Sequence, residues 1–205
     1  KKQFSFYDDN KPIFIVGMPR SGTSMIEKVL GNNSNVDEMG ELVTLNNIIT
    51  AKRKNNVNWP MNISTLDQED INEFRNEYMR VIHEINPKVK EIFIDKMPGN
   101  FLHIGLIKKI FPDSIIINTT RDPLDTCLSI YFLKFPDKHR YSFNLKNLGE
   151  YYINYKNIMS FWKKKFPNEI YSLNYEKFIN NPKEETKNLY KFCKLNYEEN
   201  NERFD

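Results

Sequence analysis

The chain has 205 residues, of which 40% are hydrophobic and 14% aromatic, and this apolar content is enough for the core of one folded domain. Its 30 Lys and Arg residues only slightly outnumber its 27 Asp and Glu residues, and the net charge of +3 is spread along the chain. Nucleic-acid binding usually needs a concentrated basic face, and a membrane span needs roughly 20 consecutive apolar residues. We therefore expect no nucleic-acid partner and no membrane span; the slight basic excess suits a small anionic ligand.

The two cysteines, Cys127 and Cys193, both lie in segments with helical periodicity, so neither a disulfide framework nor a metal cluster is expected. Two unpaired thiols favour a reducing compartment. The first residues have no signal-peptide profile. We therefore expect a cytoplasmic location.

Short apolar runs alternate along the chain with segments of helical periodicity. The runs at 13–16, 92–94, 115–117 and 170–173 predict four buried strands. Apolar residues spaced by threes and fours predict helices over 23–30, 65–85, 102–110, 123–131, 148–162 and 182–192. Repeated strand and helix units with short apolar strands predict an α/β fold: a three-layer α/β/α domain with a central parallel sheet, like that of P-loop NTPases.

Local signals refine two of these helices. The spacing from Thr65 to Gln68 predicts a capping box at the start of one helix. Asp122 followed by Pro123 predicts the start of another, with an N-cap and a proline at the first helical position. The apolar face of this second helix is expected to carry Leu124, Leu128 and Tyr131.

The segment from Gly17 to Ser24 joins the first predicted strand to the first predicted helix. It has two glycines separated by four residues and followed by two hydroxyl residues, which is the spacing of a phosphate-binding loop. Such a loop presents backbone N–H groups to an anion at a helix N-terminus. A nucleoside triphosphatase carries lysine after the second glycine, whereas this chain has Thr23 there and Arg20 inside the loop. The loop therefore predicts phosphate binding without a triphosphate clamp.

Residues 13–24, IFIVGMPRSGTS, resemble the 5'-phosphosulfate loop of the sulfotransferase superfamily. The string looks closest to the branch that contains protein-tyrosine sulfotransferases and bacterial sulfotransferases linked to tetratricopeptide repeats. Three further blocks follow in the family's order, each at the end of a predicted strand. They are DKMP at 95–98, TRDP at 120–123 with Ser129 eight residues after Arg121, and NYE at 174–176.

The resemblance implies 3'-phosphoadenosine 5'-phosphosulfate (PAPS) as the sulfuryl donor. The donor-binding residues that it implies are Arg20, Ser21, Gly22, Thr23, Ser24 and Met25 of the loop, Arg121 and Ser129 at the 3'-phosphate, and Tyr175 beside the adenine. Family members usually continue past the helix at Cys193 into a loop that covers the nucleotide. We therefore expect residues 1–205 to be a single sulfotransferase domain that lacks or does not show this covering segment. We expect no metal, because the donor presents one sulfonate and no carboxylate ends the run at 115–117.

The resemblance also implies the catalytic residues. Lys96 is expected to stabilise the leaving phosphate, and Arg20 to neutralise charge on the phosphosulfate. Cytosolic small-molecule sulfotransferases have a histidine base two residues after the lysine, and here Pro98 occupies that position. The tyrosine sulfotransferase branch has its glutamate base 21 residues after the loop arginine, which is the spacing of Glu41.

Glu38 is a competing candidate for the base. A free glutamate has a pKa near 4.3, so burial or an apolar wall has to raise the pKa of either residue before it can accept a proton from an alcohol.

The predicted function is the transfer of a sulfuryl group to an acceptor hydroxyl, and two alternatives stay open. One is a nucleotide or small-molecule kinase of the same fold, and the other is a non-catalytic nucleotide-binding module. The acceptor and the oligomeric state are not determined by the sequence. Residues 42–64 and 132–147, rich in Asn, Lys and aromatics, are expected to be loops that line the entrance for the acceptor.

Overall fold

The structure of the protein, a computed structural model, describes residues 10–53, 63–133 and 137–198. Within these ranges the chain forms five strands, β1 (Ile13–Gly17), β2 (Val36–Glu38), β3 (Ile92–Lys96), β4 (Ile115–Thr120) and β5 (Ile170–Asn174). The α-helices of the same ranges are α1 (Thr23–Gly31), α2 (Thr44–Arg53), α3 (Gln68–Ile85), α4 (Ile104–Ile110), α5 (Pro123–Phe132), α6 (Leu145–Lys165), α7 (Tyr175–Asn180) and α8 (Pro182–Phe192). Short 3₁₀ helices lie at Ile63–Thr65, Pro98–His103 and Asp137–Phe143.

The five strands form one parallel sheet in the order β2-β3-β1-β4-β5. The chain leaves β1 towards β2 on one side, whereas it leaves β4 towards β5 on the other. In open parallel sheets, ligands bind in the crevice where two neighbouring strands send their connections in opposite directions, at the carboxyl ends of the strands. The topology therefore points to the ends of β1 and β4.

Helices cover both faces of the sheet, which confirms the predicted three-layer α/β/α fold. All five residues of β1 are buried, and alternate side chains enter different cores because strand residues point alternately to opposite faces. Phe14 and Val16 pack into the core formed with α2, α3, α4 and α6. Ile13 and Ile15 pack into the core formed with α1 and α8. The four strands predicted from the sequence are all present.

One strand, β2, and two helices, α2 and α7, were not predicted from the sequence. The strand β2 has three residues, Val36, Asp37 and Glu38, and only the first is apolar, so it shows no apolar run. The helix α2 occupies residues 44–53, inside the predicted loop at 42–64, and that part of the loop prediction is wrong. Its buried side, Leu45, Ile48 and Ile49, has helical spacing that the asparagines around it hide. Residues 54–62 lie outside the described residues.

The second predicted loop, at 132–147, is also partly wrong. A 3₁₀ helix covers Asp137–Phe143, and α6 begins at Leu145. The side chain of Asn144 caps α6 by accepting hydrogen bonds from the N–H groups of Lys146 and Asn147. Residues 134–136 lie outside the described residues.

Two local details differ from the sequence predictions. The N-cap of α3 lies two residues after the expected place: Asp67 and Asp70 form its capping box, and Thr65 belongs to the preceding 3₁₀ helix. Asp122 caps α5 as predicted, accepting hydrogen bonds from two backbone N–H groups. The apolar face of α5 was predicted wrongly, because α5 buries Thr126 and Ile130. The residues expected on that face, Leu124, Leu128 and Tyr131, are 73%, 44% and 39% exposed.

None of the described helices combines the length and the apolar character that crossing a membrane requires.

A buried carboxyl group anchors the end of β3. Asp95 is completely buried, and its Oδ2 accepts hydrogen bonds from the Tyr78 hydroxyl at 2.7 Å and from Asn100 Nδ2 at 3.3 Å. These bonds tie β3 to α3 and to the turn that follows Lys96. Burial raises the pKa of Asp95 from 3.8 to about 7, although both hydrogen bonds act in the opposite direction.

Asp95 should make the stability of the fold depend on pH. A carboxyl group with a raised pKa binds more protons when folded, so its stabilising contribution is complete below the unfolded pKa and is lost as pH rises through the folded pKa. The free energy of unfolding of the wild type should therefore fall between pH 4 and pH 7 relative to Asp95→Asn, by at most about 1.4 kcal/mol for each pH unit. Urea denaturation across this range measures the difference. Parallel stability profiles for the two proteins would contradict the assignment.

Candidate active site

The loop after β1 depends on two glycines. Gly17 has φ +155°, and a Cβ there would lie 2.7 Å from the carbonyl oxygen of Thr119. Gly22 occupies the N-cap position of α1 with φ +96°. A Cβ at Gly22 would lie 2.7 Å from the ring of Tyr175. The first glycine therefore lets β1 end against β4, and the second lets the helix start against an aromatic ring.

The ring of Tyr175 connects the loop to Arg121, the arginine that follows β4. The guanidinium carbon of Arg121 lies 4.9 Å from the centre of this ring. Tyr175 is thus in contact range of both Gly22 and Arg121, which are separated by about a hundred residues in sequence. The structure brings these three predicted residues together at the ends of β1, β4 and β5.

Gly22→Ala should disturb this corner of the protein. The added Cβ meets the ring of Tyr175, and alanine is strained at positive φ, so we expect a loss of about 1–3 kcal/mol in the free energy of unfolding. Thermal or urea denaturation measures the loss. Gly99→Ala is the matched control, because Gly99 lines the same cavity and a Cβ there meets nothing within 4 Å. Equal effects of the two substitutions would contradict the proposed contact.

Ser21 differs from its neighbours in the loop because its side chain points inward. The residue is 1% exposed, its hydroxyl donates to the Met18 carbonyl at 2.7 Å, and it lies 2.7 Å from the hydroxyl of Thr119. Thr119 is a partner that the sequence analysis did not single out. Its position at the end of a strand beside β1 was the available signal, since the carboxyl ends of parallel strands meet at one edge.

A cavity of about 880 Å³ opens at this edge of the sheet. One part of its wall consists of residues predicted for the donor: Arg20, Gly22, Thr23, Ser24, Met25, Arg121 and Tyr175. The other part is mostly apolar and aromatic, and includes Met97, Pro98, Phe101, Leu102, Tyr141 and Tyr151. Glu41 also lines the cavity.

Two arginines face the first part of the cavity. Arg20 is exposed, adopts φ +68°, and donates from Nε to the hydroxyl oxygen of Ser129 at 3.1 Å. Arg121 is held by Asp125 through a 3.4 Å contact at Nη2, while its Nε is buried and has no hydrogen-bond partner among the described residues. Buried donors normally have partners, so the Nε of Arg121 is a position where an acceptor is expected.

Lys96 ends β3 and lies beside Glu41. The lysine is 6% exposed, and its Nζ donates to Glu41 Oε1 at 2.8 Å. The Glu41 side chain is 58% exposed, so the burial expected for a base is not present. Glu41 follows a turn at the edge of the cavity, and the ammonium group of Lys96 is the charged group it contacts.

Glu38, the competing candidate, lies elsewhere. Its carboxylate forms a 2.6 Å ion pair with Lys28 of α1. It is not among the residues that line the cavity. Of the two glutamates considered from the sequence, Glu41 is the one that meets both Lys96 and the cavity.

Glu27 is a residue that the sequence analysis missed. It lies on α1, is 6% exposed, and accepts a hydrogen bond from the backbone N–H of Gly40 at 2.8 Å. Its other carboxylate oxygen lies 3.8 Å from Lys96 Nζ. Burial raises the pKa of Glu27, and Lys96 and the Gly40 N–H lower it in part. Helical spacing was the available signal, since Glu27 follows Thr23 by four residues and so shares its buried face.

Among the described residues, no group of three or more His, Cys, Asp or Glu side chains is arranged to hold a metal ion. The expectation that no metal is needed stays a prediction.

A parallel α/β sheet with a glycine loop at the end of its central strand and a cavity at the strand ends defines a class of nucleotide-binding domain. Residues 12–199 match the sulfotransferase family, and the chain belongs to that family. This confirms the family that the loop motif predicted.

Two curated relatives match nearly the whole chain. A protein of Aquifex aeolicus (strain VF5) called an uncharacterized protein is 32% identical over 203 residues, covering 94% of this chain and 26% of that protein. A Caenorhabditis briggsae protein called "Putative protein-tyrosine sulfotransferase" is 24% identical over 188 residues, covering 90% of this chain and 66% of that protein. Because this chain spans 26% and 66% of the two relatives, their whole-protein activities do not transfer to it directly.

Solved structures share the fold. The sulfotransferase domain from the Synechococcus PCC 7002 olefin synthase is 16% identical, with a TM-score of 0.64 over 98% of this chain and 80% of that one. Mouse sulfotransferase SULT7A1, solved in complex with PAP, is 13% identical, with a TM-score of 0.53 over 95% of this chain and 61% of that one. At these identities the similarity establishes the shared fold and leaves the chemistry to the site.

Proposed function

We propose that the protein transfers a sulfuryl group from PAPS to the hydroxyl group of an acceptor. The observation that carries this proposal is the contact between Lys96 and Glu41 beside a cavity that begins at the glycine loop. A cation and a carboxylate stand there together, next to a loop whose N–H groups suit a phosphosulfate. Membership of the sulfotransferase family supports the same reaction.

The donor is proposed to span the first part of the cavity. The backbone N–H groups at the start of α1, with the hydroxyl groups of Thr23 and Ser24, would bind the 5'-phosphosulfate. Arg121, whose Nε has no partner within the described ranges, and Ser129 would bind the 3'-phosphate. Tyr175 would lie beside the adenine. The Ser21 hydroxyl points inward, so its proposed role is to hold the shape of the loop.

The proposed reaction is an in-line displacement at sulfur. The acceptor oxygen forms a bond to sulfur while the bond between sulfur and the 5'-phosphate oxygen breaks, and Glu41 takes the proton of the acceptor hydroxyl. The electron pair of the broken bond stays on the phosphate oxygen, which leaves as part of 3'-phosphoadenosine 5'-phosphate (PAP). Lys96 stabilises the charge that develops on this oxygen, and Arg20 the charge on the sulfonate oxygens.

The Lys96 to Glu41 contact is proposed to open as the reaction proceeds. An ammonium group has three N–H donors, and an oxygen of the sulfuryl donor can replace Glu41 as the acceptor of one of them. The phosphosulfate competes for Lys96, so donor binding would release Glu41 towards the acceptor. This order prevents the base from being free before the donor is present.

PAP should stabilise the protein without any metal. We expect micromolar PAP to raise the Tm in the absence of magnesium, whereas ATP with magnesium should have little effect, because Thr23 replaces the lysine of a triphosphate loop. Differential scanning fluorimetry measures the shifts. AMP, which lacks the 3'-phosphate, should stabilise less than PAP, and Arg121→Ala should remove most of that difference.

The opposite ranking, with ATP and magnesium stabilising more than PAP, would favour a kinase over a sulfotransferase. PAP binding without turnover of PAPS on any acceptor would favour the non-catalytic module.

Glu41→Gln should bind PAP as well as the wild type and yet lose transfer. Removing a general base typically lowers kcat by about 10²–10⁴-fold, while the donor site stays unchanged. Turnover is measured as PAP release from PAPS with a panel of alcohols, phenols and sugars. Glu38→Gln is the matched control, since Glu38 pairs with Lys28 away from the cavity, and it should keep wild-type kcat. Full activity in Glu41→Gln would remove Glu41 from the mechanism.

A further inference from the structure

A second carboxylate lies behind the Lys96 to Glu41 pair. Glu27 projects from α1 and is 6% exposed, and its Oε2 lies 3.8 Å from Lys96 Nζ. The ammonium group therefore stands between a buried carboxylate and an exposed one, since the side chain of Glu41 is 58% exposed. Only the exposed carboxylate lines the cavity.

Glu27 also holds the turn that carries Glu41. Its Oε1 accepts the backbone N–H of Gly40 at 2.8 Å, and Gly40 has φ +69°. The carbonyl of Gly40 in turn accepts the backbone N–H of Lys96 at 3.0 Å. One carboxylate thus lies 3.8 Å from the Lys96 ammonium group and hydrogen-bonds the peptide next to Glu41.

A buried carboxylate in this position is costly unless it has a role that a neutral side chain cannot fill. Replacing buried charges by neutral groups of similar shape is often neutral or stabilising. The hydrogen bond from Gly40 alone needs only an acceptor oxygen, which glutamine also has. The presence of a glutamate here and not a glutamine is therefore explained by Lys96 and not by the turn.

We propose that Glu27 is a positioning residue that keeps the Lys96 ammonium group in place while Glu41 is released to act as the base. This inference rests on the proposed sulfuryl transfer. When donor binding opens the Lys96 to Glu41 contact, Lys96 keeps one carboxylate partner at its back. The charge of Lys96 then stays directed at the leaving oxygen. The hydrogen bond from Gly40 to Glu27 also holds the turn that carries Glu41, so the base keeps its position relative to Lys96.

The other charged groups near Glu27 do not replace it in this role. Lys28 is the next residue on α1, but its exposed ammonium group pairs with Glu38 at 2.6 Å. Neither of those residues lines the cavity. Lys96 and Asp95 on β3, and Glu38 on β2, are further charged or titratable groups that interact with Glu27 electrostatically.

Glu27→Gln separates the charge from the hydrogen bond. The amide oxygen can still accept the Gly40 N–H, so we expect the Tm to stay within a few degrees of the wild type. The kcat for sulfuryl transfer should fall by roughly 10- to 100-fold, because a misdirected catalytic group costs that much. The KM for PAPS and the Kd for PAP should change by no more than about twofold, because Glu27 does not line the cavity.

A purely structural role predicts a different pattern, in which kcat falls only as far as the Tm and the folded fraction fall. Glu38→Gln is the control for loss of a neighbouring carboxylate and should leave kcat and Tm unchanged. If no acceptor in the panel is used, PAP release by slow transfer to water provides the rate. If Glu27→Gln does not fold, Glu27→Asp keeps the charge at a shorter reach, and we expect it to have a lower kcat at unchanged Kd for PAP.

A wild-type kcat in folded Glu27→Gln, or in folded Glu27→Asp where that variant is needed, would overturn the inference. Failure of the proposed function gives a different result: a wild-type protein that does not turn over PAPS, whether or not it binds PAP. The two failures are therefore distinguished by the wild type alone.

Discussion

The parallel pairing of β1 with β3 and β4 brings the phosphate loop, Lys96 and Arg121 to the same edge of the sheet. Its register sets Gly17 opposite Thr119 on one side and Ile15 opposite Lys96 on the other. Because all three strands run in the same direction, their carboxyl ends meet at one edge of the sheet. The residues of β1 that lead to this edge are apolar and buried. The phosphate loop, the lysine and the Arg121 block are separated by many residues in sequence and become neighbours through this register.

The sequence predicted the layers and the strand ends well, because those depend on patterns that are strong locally. Apolar runs such as 115–117 are recognisable as buried strands without knowledge of their neighbours. The strand β2 and the helix α2 were not predicted because each depends on packing for its stability. The three residues of β2 pair with β3, and asparagines interrupt the few apolar residues of α2. The apolar side of α5 was predicted to be buried and is exposed, because the spacing of apolar residues does not show which elements pack against a helix.

The candidate site was predictable to the extent that it follows motifs. The preference for Glu41 over Glu38 followed from the spacing that the family resemblance implies, and it stays a prediction. In the structure Glu41 lies beside Lys96 and Glu38 beside Lys28. Glu27 was not predictable as a partner of Lys96, because the contact joins residues that no motif connects. The helical spacing of Glu27 indicated that it is buried. Its proximity to Lys96 depends on the register of the sheet, which the sequence pattern does not give.

The two parts of the cavity wall come from different connections of the chain. The part around Arg121 and Tyr175 is built where strands end, so its shape is tied to the sheet and tolerates little change. The part around Leu102 and Tyr141 is formed by side chains on two 3₁₀ helices and on α6, and not by the phosphate loop or the ends of β4 and β5. Acceptor preference under the proposed function is therefore free to diverge among related chains by substitution in the second part, while the donor site beside it stays the same.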